Sequence, residues 1–326
     1  MNRRDALRCL AAGAALAMLP RKAASAQPVP EETMETHTFK TVGDCRIKAD
    51  VYRASGGKAP HPIVMAIHGG ALITGARHPI EMDFHEPLVK QGFTIVSIDY
   101  RLAPETKLPE IIKDVQDAYR WIREEGPALF GADPERIGVQ GGSAGGYLAL
   151  MTGFCVDPRP KVLVSFYGYG DIIGDWYSKP DPFYCSQPAI SKEAAYSAVG
   201  EGTPCGNPQG NRRWEFYLYC RQHGLWPKEV SGVDPHTQPE QFKPYCPVQN
   251  VTRDYPPTFL GHGDKDTDVP YEQSVLMAEA LKQAGVEHEF MTLHDAGHGF
   301  SHSRKGDYEQ VRGRSIAFLI RHLRGE

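Results

Sequence analysis

The chain has 326 residues, of which 41% are hydrophobic and 23% charged, and a formal net charge of −4. That is enough for one large α/β domain with a substantial core. No basic stripe runs through it, which excludes nucleic acid and anionic membrane surfaces as natural partners.

The first 26 residues read as a leader rather than as part of the fold. Arg3-Arg4 and Arg8 make a basic start, Cys9 to Leu19 is apolar and Ala-rich, and Ala24-Ser25-Ala26 fits small-x-small cleavage before Gln27. The apolar run is too short to span a bilayer and is apolar on both faces, unlike an amphipathic surface helix. The twin arginine followed by Leu7 resembles a Tat signal, with Ala6 a weak residue at its position. A signal peptide over 1–26 predicts an exported protein, periplasmic or secreted, with no stable membrane insertion. Its removal takes away five basic residues and one acidic residue, leaving 31 basic against 39 acidic and a net charge of −8.

Six cysteines remain, and four of them (Cys185, Cys205, Cys220 and Cys246) fall between residues 185 and 246. In an exported chain this predicts at least one disulfide within that stretch. Zinc is the competing use of cysteine, but no C-x-x-C spacing exists.

After a Pro/Glu-rich linker at 27–32, Thr38–Val42 and Arg46–Tyr52 alternate polar and apolar around Gly43-Asp44, an antiparallel hairpin. Pro62–Ile67 and Phe93–Ile98 are continuous apolar runs of strand length, as in a parallel sheet covered on both faces. Pro109–Glu125 places Ile111, Ile112, Val115, Ala118, Tyr119 and Ile122 on one helical face. Arg136–Gln140 reads as a strand and Tyr147–Met151 as a helix. Further strands are predicted at Lys161–Tyr167, Pro257–Leu260 and Glu287–Leu293, and helices at Tyr271–Ala284, ended by Gly285, and Asp307–Leu323. This alternation predicts a doubly wound, mostly parallel α/β sheet. Residues 171–250 interrupt it. They are rich in Pro, Gly, Cys and aromatics, with no strong periodicity apart from short pieces, and they read as a cap or lid inserted into a core made of 27–170 and 251–326.

Between the strand at 136–140 and the helix at 147–151 stands Gly141-Gly142-Ser143-Ala144-Gly145-Gly146, a G-x-S-x-G motif. A serine on such a sharp strand-to-helix turn is lifted clear of the sheet toward a substrate, and small neighbours are needed where the backbone is strained and closely packed. A serine hydroxyl needs a base to take its proton, and the base needs a carboxylate, here expected in the chain order Ser, Asp, His. His298, in Gly297-His298-Gly299, and Asp266, in the run Gly261–Pro270, both follow predicted strands and can meet Ser143 at the sheet's carboxyl edge. His294 competes with His298, and its simpler role is to cap a strand. Asp264 and Asp268 compete with Asp266, and turn aspartates commonly bond their own backbone. His294, His298 and His302 recur every four residues, but Gly297 and Gly299 oppose a metal-binding helix there. Small residues in His68-Gly69-Gly70-Ala71 let backbone N–H groups approach a substrate oxyanion. Gly69 or Gly70, with Ala71 the alternative, and the N–H of Ala144 are the expected donors.

Taken together, His68-Gly69-Gly70, Asp99-Tyr100-Arg101-Leu102-Ala103-Pro104-Glu105, Gly141–Gly146, His262-Gly263…Asp266…Val269-Pro270 and Gly297-His298-Gly299-Phe300 resemble the α/β-hydrolase esterases of the hormone-sensitive-lipase and bacterial feruloyl- and acetyl-esterase kind. The likeness covers roughly residues 60–170 and 255–325. It implies the α/β-hydrolase fold, a serine esterase with the triad Ser143, Asp266 and His298, no cofactor, and a structural pairing of Arg101 with Asp114. Two departures matter. Ala71 stands where many relatives have a third glycine or an aromatic, and 171–250 matches no familiar cap. Aromatic residues there, with Trp176 and Tyr177 as the expected substrate contacts, suit an acylated carbohydrate or an aryl ester. Two alternatives stand beside the esterase: a prolyl-oligopeptidase-type serine peptidase and a non-catalytic binding module on a hydrolase scaffold. The peptidases usually carry a large N-terminal propeller, and only a short stretch precedes the first parallel strand here.

Overall fold

In a computed structural model, which describes residues 32–54, 59–200, 202–206 and 212–325, the hairpin around Gly43-Asp44 is β1 (Glu32–Val42) paired antiparallel with β2 (Cys45–Ala54). The expected leader at 1–26 lies outside the described residues. β3 (His61–Ile67), β4 (Thr94–Ile98), β5 (Ala132–Gly142), β6 (Val162–Phe166), β7 (Thr258–Gly263) and β8 (His288–Leu293) are mutually parallel. The sheet order is β1-β2-β4-β3-β5-β6-β7-β8, with β2 antiparallel to β4.

The continuous apolar strands are explained by helices on both faces. Along β3, Ile63 and Met65 pack with Val115 and Ala118 of α2 (Leu108–Glu124), Leu148 of α4 (Ala144–Cys155) and Met277 of α10 (Glu272–Ala284). Val64 and Ala66 point the other way, into a second core with Phe84 and Leu88 of α1 (Met82–Lys90) and Phe318 and Leu319 of α11 (Lys305–Arg324). Period-two alternation thus feeds two apolar layers at once. A short α3 (Gly126–Phe130) follows α2. As expected, α10 ends on Gly285 at φ 72°. Arg101 and Asp114 form a buried two-pronged pair, Nε to Oδ2 at 2.7 Å and Nη2 to Oδ1 at 2.8 Å.

Residues 171–250 correct the irregular reading. They hold α5 (Asp175–Ser178), α6 (Pro182–Cys185), α7 (Lys192–Ser197), α8 (Arg212–His223), α9 (Trp226–Ser231) and two 3₁₀ turns at Pro239–Tyr245 and Pro247–Gln249. Most are too short to show a period. In α8 the buried stripe includes Arg213 and Arg221, so its hydrophobic pattern is broken by two arginines. This insert packs on loops at the carboxyl end of the sheet: Trp226 Nε1 donates to Ala71 O (2.9 Å), Arg213 Nη2 to Ala103 O (2.6 Å) and Arg221 Nη1 to Asp268 O (2.8 Å).

The cysteines also depart from expectation. All six described are free thiols, and those of the 185–246 stretch turn to separate surroundings: Cys185 to Gln222 O, Cys246 toward Asp171, Cys220 into the core and Cys205 to Arg46 O beside Cys45. Among the described residues no helix is long and apolar enough to cross a membrane.

Candidate active site

Ser143 is the residue between β5 and α4, with φ 55° and ψ −124°. That left-handed conformation is costly for a side-chain-bearing residue and is held from both sides. Its N–H donates to Phe166 O on β6 (2.9 Å), and its carbonyl accepts from Tyr147 N (3.0 Å). The glycines around it make the turn possible. A Cβ on Gly145 would lie 2.0 Å from Ile67 O, so only glycine lets α4 come this close to β3. Ala144 opens α4, where the first N–H groups have no partner inside the helix.

The loop after β3 passes directly beside this turn. A Cβ on Gly69 would lie 2.9 Å from Gly142 O and 3.3 Å from Ser143 Cβ. Gly70 (φ 108°) turns the chain, its carbonyl accepting from Ile73 N and Thr74 N at 2.9 Å each. Ala71 follows at φ 54°, its carbonyl taken by the Trp226 indole. His68 stacks on Tyr100 (4.2 Å between centroids) and donates Nδ1–H to Gly69 O at 2.8 Å. Burial lowers its pKa, so it stays a neutral brace for the loop.

On the opposite side, His298 stands on the glycine-flanked turn after β8, where Gly299 takes φ 67°. His298 Nδ1 lies 2.8 Å from Asp266 Oδ2 and donates to it. The Asp266 side chain is fully buried and well supplied with donors. Its Oδ1 accepts Asp268 N (2.8 Å) and Val269 N (3.0 Å), and His262 Nε2 lies 3.2 Å from Oδ2. Burial alone would raise the Asp266 pKa, but the hydrogen bonds from His262 and His298 outweigh it and hold the carboxylate ionised well below its ordinary range. For His298 the balance is the mirror image. Burial would lower its pKa, and the Asp266 hydrogen bond with the charges of Asp268 and Asp266 raises it. Tyr167 (φ 39°) connects the two halves. Its ring meets His298 edge-on at 5.0 Å, and a Cβ on Gly142 would lie 2.8 Å from its hydroxyl.

Ser143, Gly69, Gly142 and Tyr167 line a cavity of about 250 Å³ that reaches Gln140 and His85. His85 bonds Glu81 O and the Gln140 side chain, and burial pushes it down to about 4, so it is neutral. The expected substrate contacts are elsewhere. Trp176 stacks on Tyr177 (3.7 Å), and Tyr177 stacks on Trp226 (4.1 Å) and is 1% exposed. Tyr177 is a core residue, and neither residue lines this cavity.

Of the competing residues, His294 and Asp264 pair with each other, whereas Asp268 faces the far side of His298. His294 is exposed and pairs with Asp264 (2.9 Å), which also accepts Asp295 N rather than closing its own turn. Asp268 does not bond its own backbone either; Arg221, Tyr184 and Tyr217 hold its carboxylate. Sequence reasoning passed over His262, Tyr167 and this role of Asp268. The i,i+4 spacing of His262 and Asp266 was a usable signal. The partners of Asp268 lie 47 to 84 residues away and left none.

Serine on a strained turn, helix-start N–H groups with no partner inside the helix and an imidazole oriented by a buried carboxylate can together perform nucleophilic acyl transfer. The BD-FAE family matches residues 49–163, and the Prolyl oligopeptidase family matches residues 208–326. Among curated proteins, 5-methylorsellinic acid synthase of Aspergillus terreus is 30% identical over 91% of this chain, and the non-reducing polyketide synthase Preu6 of Preussia isomera 29% over 89%. The chain spans only 14% and 15% of their lengths. Among solved structures, a protein of unknown function from Staphylococcus aureus has TM-score 0.71 and 21% identity, covering 89% of this chain and 99% of that one. A truncated carbohydrate esterase from gut microbiota has TM-score 0.65 and 21% identity, covering 91% and 98%. Thermogutta terrifontis esterase 2, phosphorylated by paraoxon, has TM-score 0.62 and 21% identity, covering 88% and 93%. The shared architecture is the α/β-hydrolase fold.

Proposed function

We propose that this chain, an esterase-like hydrolase of the α/β-hydrolase superfamily, cleaves carboxylic esters through a Ser143–His298–Asp266 triad and an acyl-enzyme. The observation that carries the reading is the 2.8 Å bond from His298 Nδ1 to the buried Asp266, across Tyr167 from a serine held at φ 55°. Asp266 fixes the Nδ1–H tautomer, which leaves the Nε2 lone pair for the serine proton. Ser143 Oγ attacks the ester carbonyl as His298 takes that proton. The N–H groups of Ala144 and of Gly69 or Gly70 receive the oxyanion. His298 then protonates the leaving alcohol, and water repeats the sequence on the acyl-enzyme. Nothing in these steps calls for a metal or cofactor.

Residues 171–250 act as a cap in this reading, supported by their hydrogen bonds to the loops at the sheet's carboxyl end. The substrate is a small or carbohydrate-linked ester, an acylated carbohydrate or an aryl ester. That class rests on the aromatic content of the cap and the likeness to a carbohydrate esterase. The leader at 1–26 supports export to the periplasm or beyond. A serine peptidase is the second reading, favoured by the prolyl-oligopeptidase match over 208–326.

One experiment separates these. p-Nitrophenyl acyl esters, acetylated xylan, feruloyl esters and aminoacyl-p-nitroanilides are offered to wild type and Ser143→Ala. The esters are expected to turn over and the anilides not, with activity falling at least about 10³-fold in the variant. Paraoxon is expected to add one phosphoryl group to wild type and none to Ser143→Ala by intact mass. Anilide turnover favours the peptidase. A variant keeping a tenth of wild-type activity removes Ser143 as nucleophile.

A further inference from the structure

His298 has a carboxylate on each side. Opposite the Asp266 bond, Asp268 Oδ2 lies 3.4 Å from Nε2. Asp268 belongs to the turn after β7, but its fixed oxygen is held entirely by the insert. Oδ1 accepts from Tyr184 Oη (2.8 Å), from Arg221 Nη1 (2.8 Å) and from Tyr217 Oη. Arg221 is 1% exposed and is not used as a simple fork on Asp268. Its Nη1 also donates to Asp268 O, and its Nη2 goes to Asp181 Oδ2 at 2.7 Å. The guanidinium lies over the rings of Tyr184 and Tyr177 at 4.6 and 5.0 Å. Arginine–carboxylate pairs are frequently bidentate, with both oxygens gripped. Here three donors saturate Oδ1, and Oδ2 is left toward the imidazole.

We propose that Asp268 is a positioning residue for His298, a second carboxylate that the insert residues Arg221, Tyr184 and Tyr217 hold against the Nε2 side of the ring. The proposal rests on the reading of His298 as the base. When Ser143 surrenders its proton, the positive charge that forms on the imidazole lies between Asp266 and Asp268. The insert thereby reaches the chemistry through the Asp268 carboxylate.

The groups facing the ring fix the sign. Asp266 and Asp268 come from the β7–α10 turn, Arg221 from α8 and the Tyr167 ring from the chain after β6. The two carboxylates favour the charged ring, the Asp266 hydrogen bond most and the Asp268 charge next, and Arg221 opposes it more weakly. Tyr184 and Tyr217 have hydroxyl pKa values raised by burial, so both remain neutral donors. The base must be neutral to act, so activity rises with pH through the raised His298 pKa. Asp268→Asn removes a negative charge, and that pKa should fall by roughly 0.5 to 1 unit, the low end for a close opposite charge because Arg221 offsets part of it. Tyr184→Phe removes a donor from Oδ1, leaving more charge on Oδ2, and the pKa should move the other way by a few tenths of a unit.

The test is the titration of the His298 ring by NMR in wild type, Asp268→Asn and Tyr184→Phe, beside the acid limb of kcat/KM on a p-nitrophenyl ester. Opposite shifts in the two variants support the proposal, because general loosening would not reverse sign between them. An unchanged ring titration in a folded Asp268→Asn overturns it. If Asp268→Asn does not fold, Tyr184→Phe decides alone, and no upward shift overturns it. The ring titration needs no substrate. Opposite shifts in a protein that hydrolyses no ester leave Asp268 paired with the ring and sink only the esterase reading.

Discussion

At Gly145 one methyl group decides whether the elbow forms. The Cβ of an alanine there would stand 2.0 Å from Ile67 O and 2.8 Å from His68 O. Both obstacles are backbone, so no rotamer change relieves them, and α4 would have to retreat from β3. Gly145→Ala is expected to lose upwards of about 2 kcal/mol of stability. The control is Gly313→Ala in the exposed middle of α11, where a Cβ meets nothing within 4 Å. That change should be neutral or gain a few tenths of a kcal/mol. Urea unfolding of both variants checks the pair, and equal midpoints would refute the close-packing account. The same locality explains what the sequence revealed. Glycine spacing around Ser143 and the glycines flanking His298 express needs met within a few residues, and both were readable. The turn argument for Asp266 over Asp268 runs the other way in the structure: Asp266, which bonds His298, is also the one that accepts N–H groups of its own turn, from Asp268 and Val269. The partners of Asp268 sit on α6 and α8, fixed only by tertiary packing, so no local pattern announced them.

Elements whose environment is uniform along their length were the legible ones. Strands β3, β4 and β6 are buried at every position and read as mostly apolar runs; α2 buries one face and reads with helical period. Helix α8 failed this test because it buries charge. Arg213 is 1% exposed, with Nη1 and Nη2 on Glu105 at 2.8 and 2.7 Å and Nε on Ile73 O at 2.6 Å. It joins the insert to the loops after β3 and β4, including the loop that brings Gly69 to Ser143. Arg213→Ala leaves Glu105 buried without its partner, and such truncations typically cost about 3–5 kcal/mol. Lysine cannot reproduce the fork, so Arg213→Lys should recover little. Thermal unfolding and proteolysis between residues 171 and 250 would register the effect. A variant as stable and protease-resistant as wild type would mean that the insert is held by its apolar contacts alone.

Across the whole molecule, the cysteines show how a composition argument can name a tendency and miss the geometry. Crowding of four cysteines between 185 and 246 pointed to a link inside the insert, yet chain proximity is not spatial proximity. Cys205 instead lies against the first hairpin. Its Sγ approaches Arg46 O at 3.3 Å, its backbone bridges to Arg101, and its thiol neighbours Cys45 at the start of β2. Burial, with the Cys45 thiol beside it, pushes the Cys205 thiol up to about 12, so it forms little thiolate near neutral pH. Two outcomes follow from that pairing. Reduced, native protein should be slow to react with alkylating reagents at Cys205. Protein matured in an oxidising compartment, where a thiol–disulfide oxidoreductase can accept the two electrons, should carry Cys45 linked to Cys205. Such a link closes a loop of about 160 residues and removes unfolded-state entropy worth about 5 kcal/mol in the chain-entropy account. It would fasten the insert to the sheet at the edge away from Asp268. Peptide mapping under non-reducing conditions locates the bond, and the melting temperature with and without reductant measures its effect. Six free thiols after oxidative export, or a bond inside 185–246, would defeat the pairing.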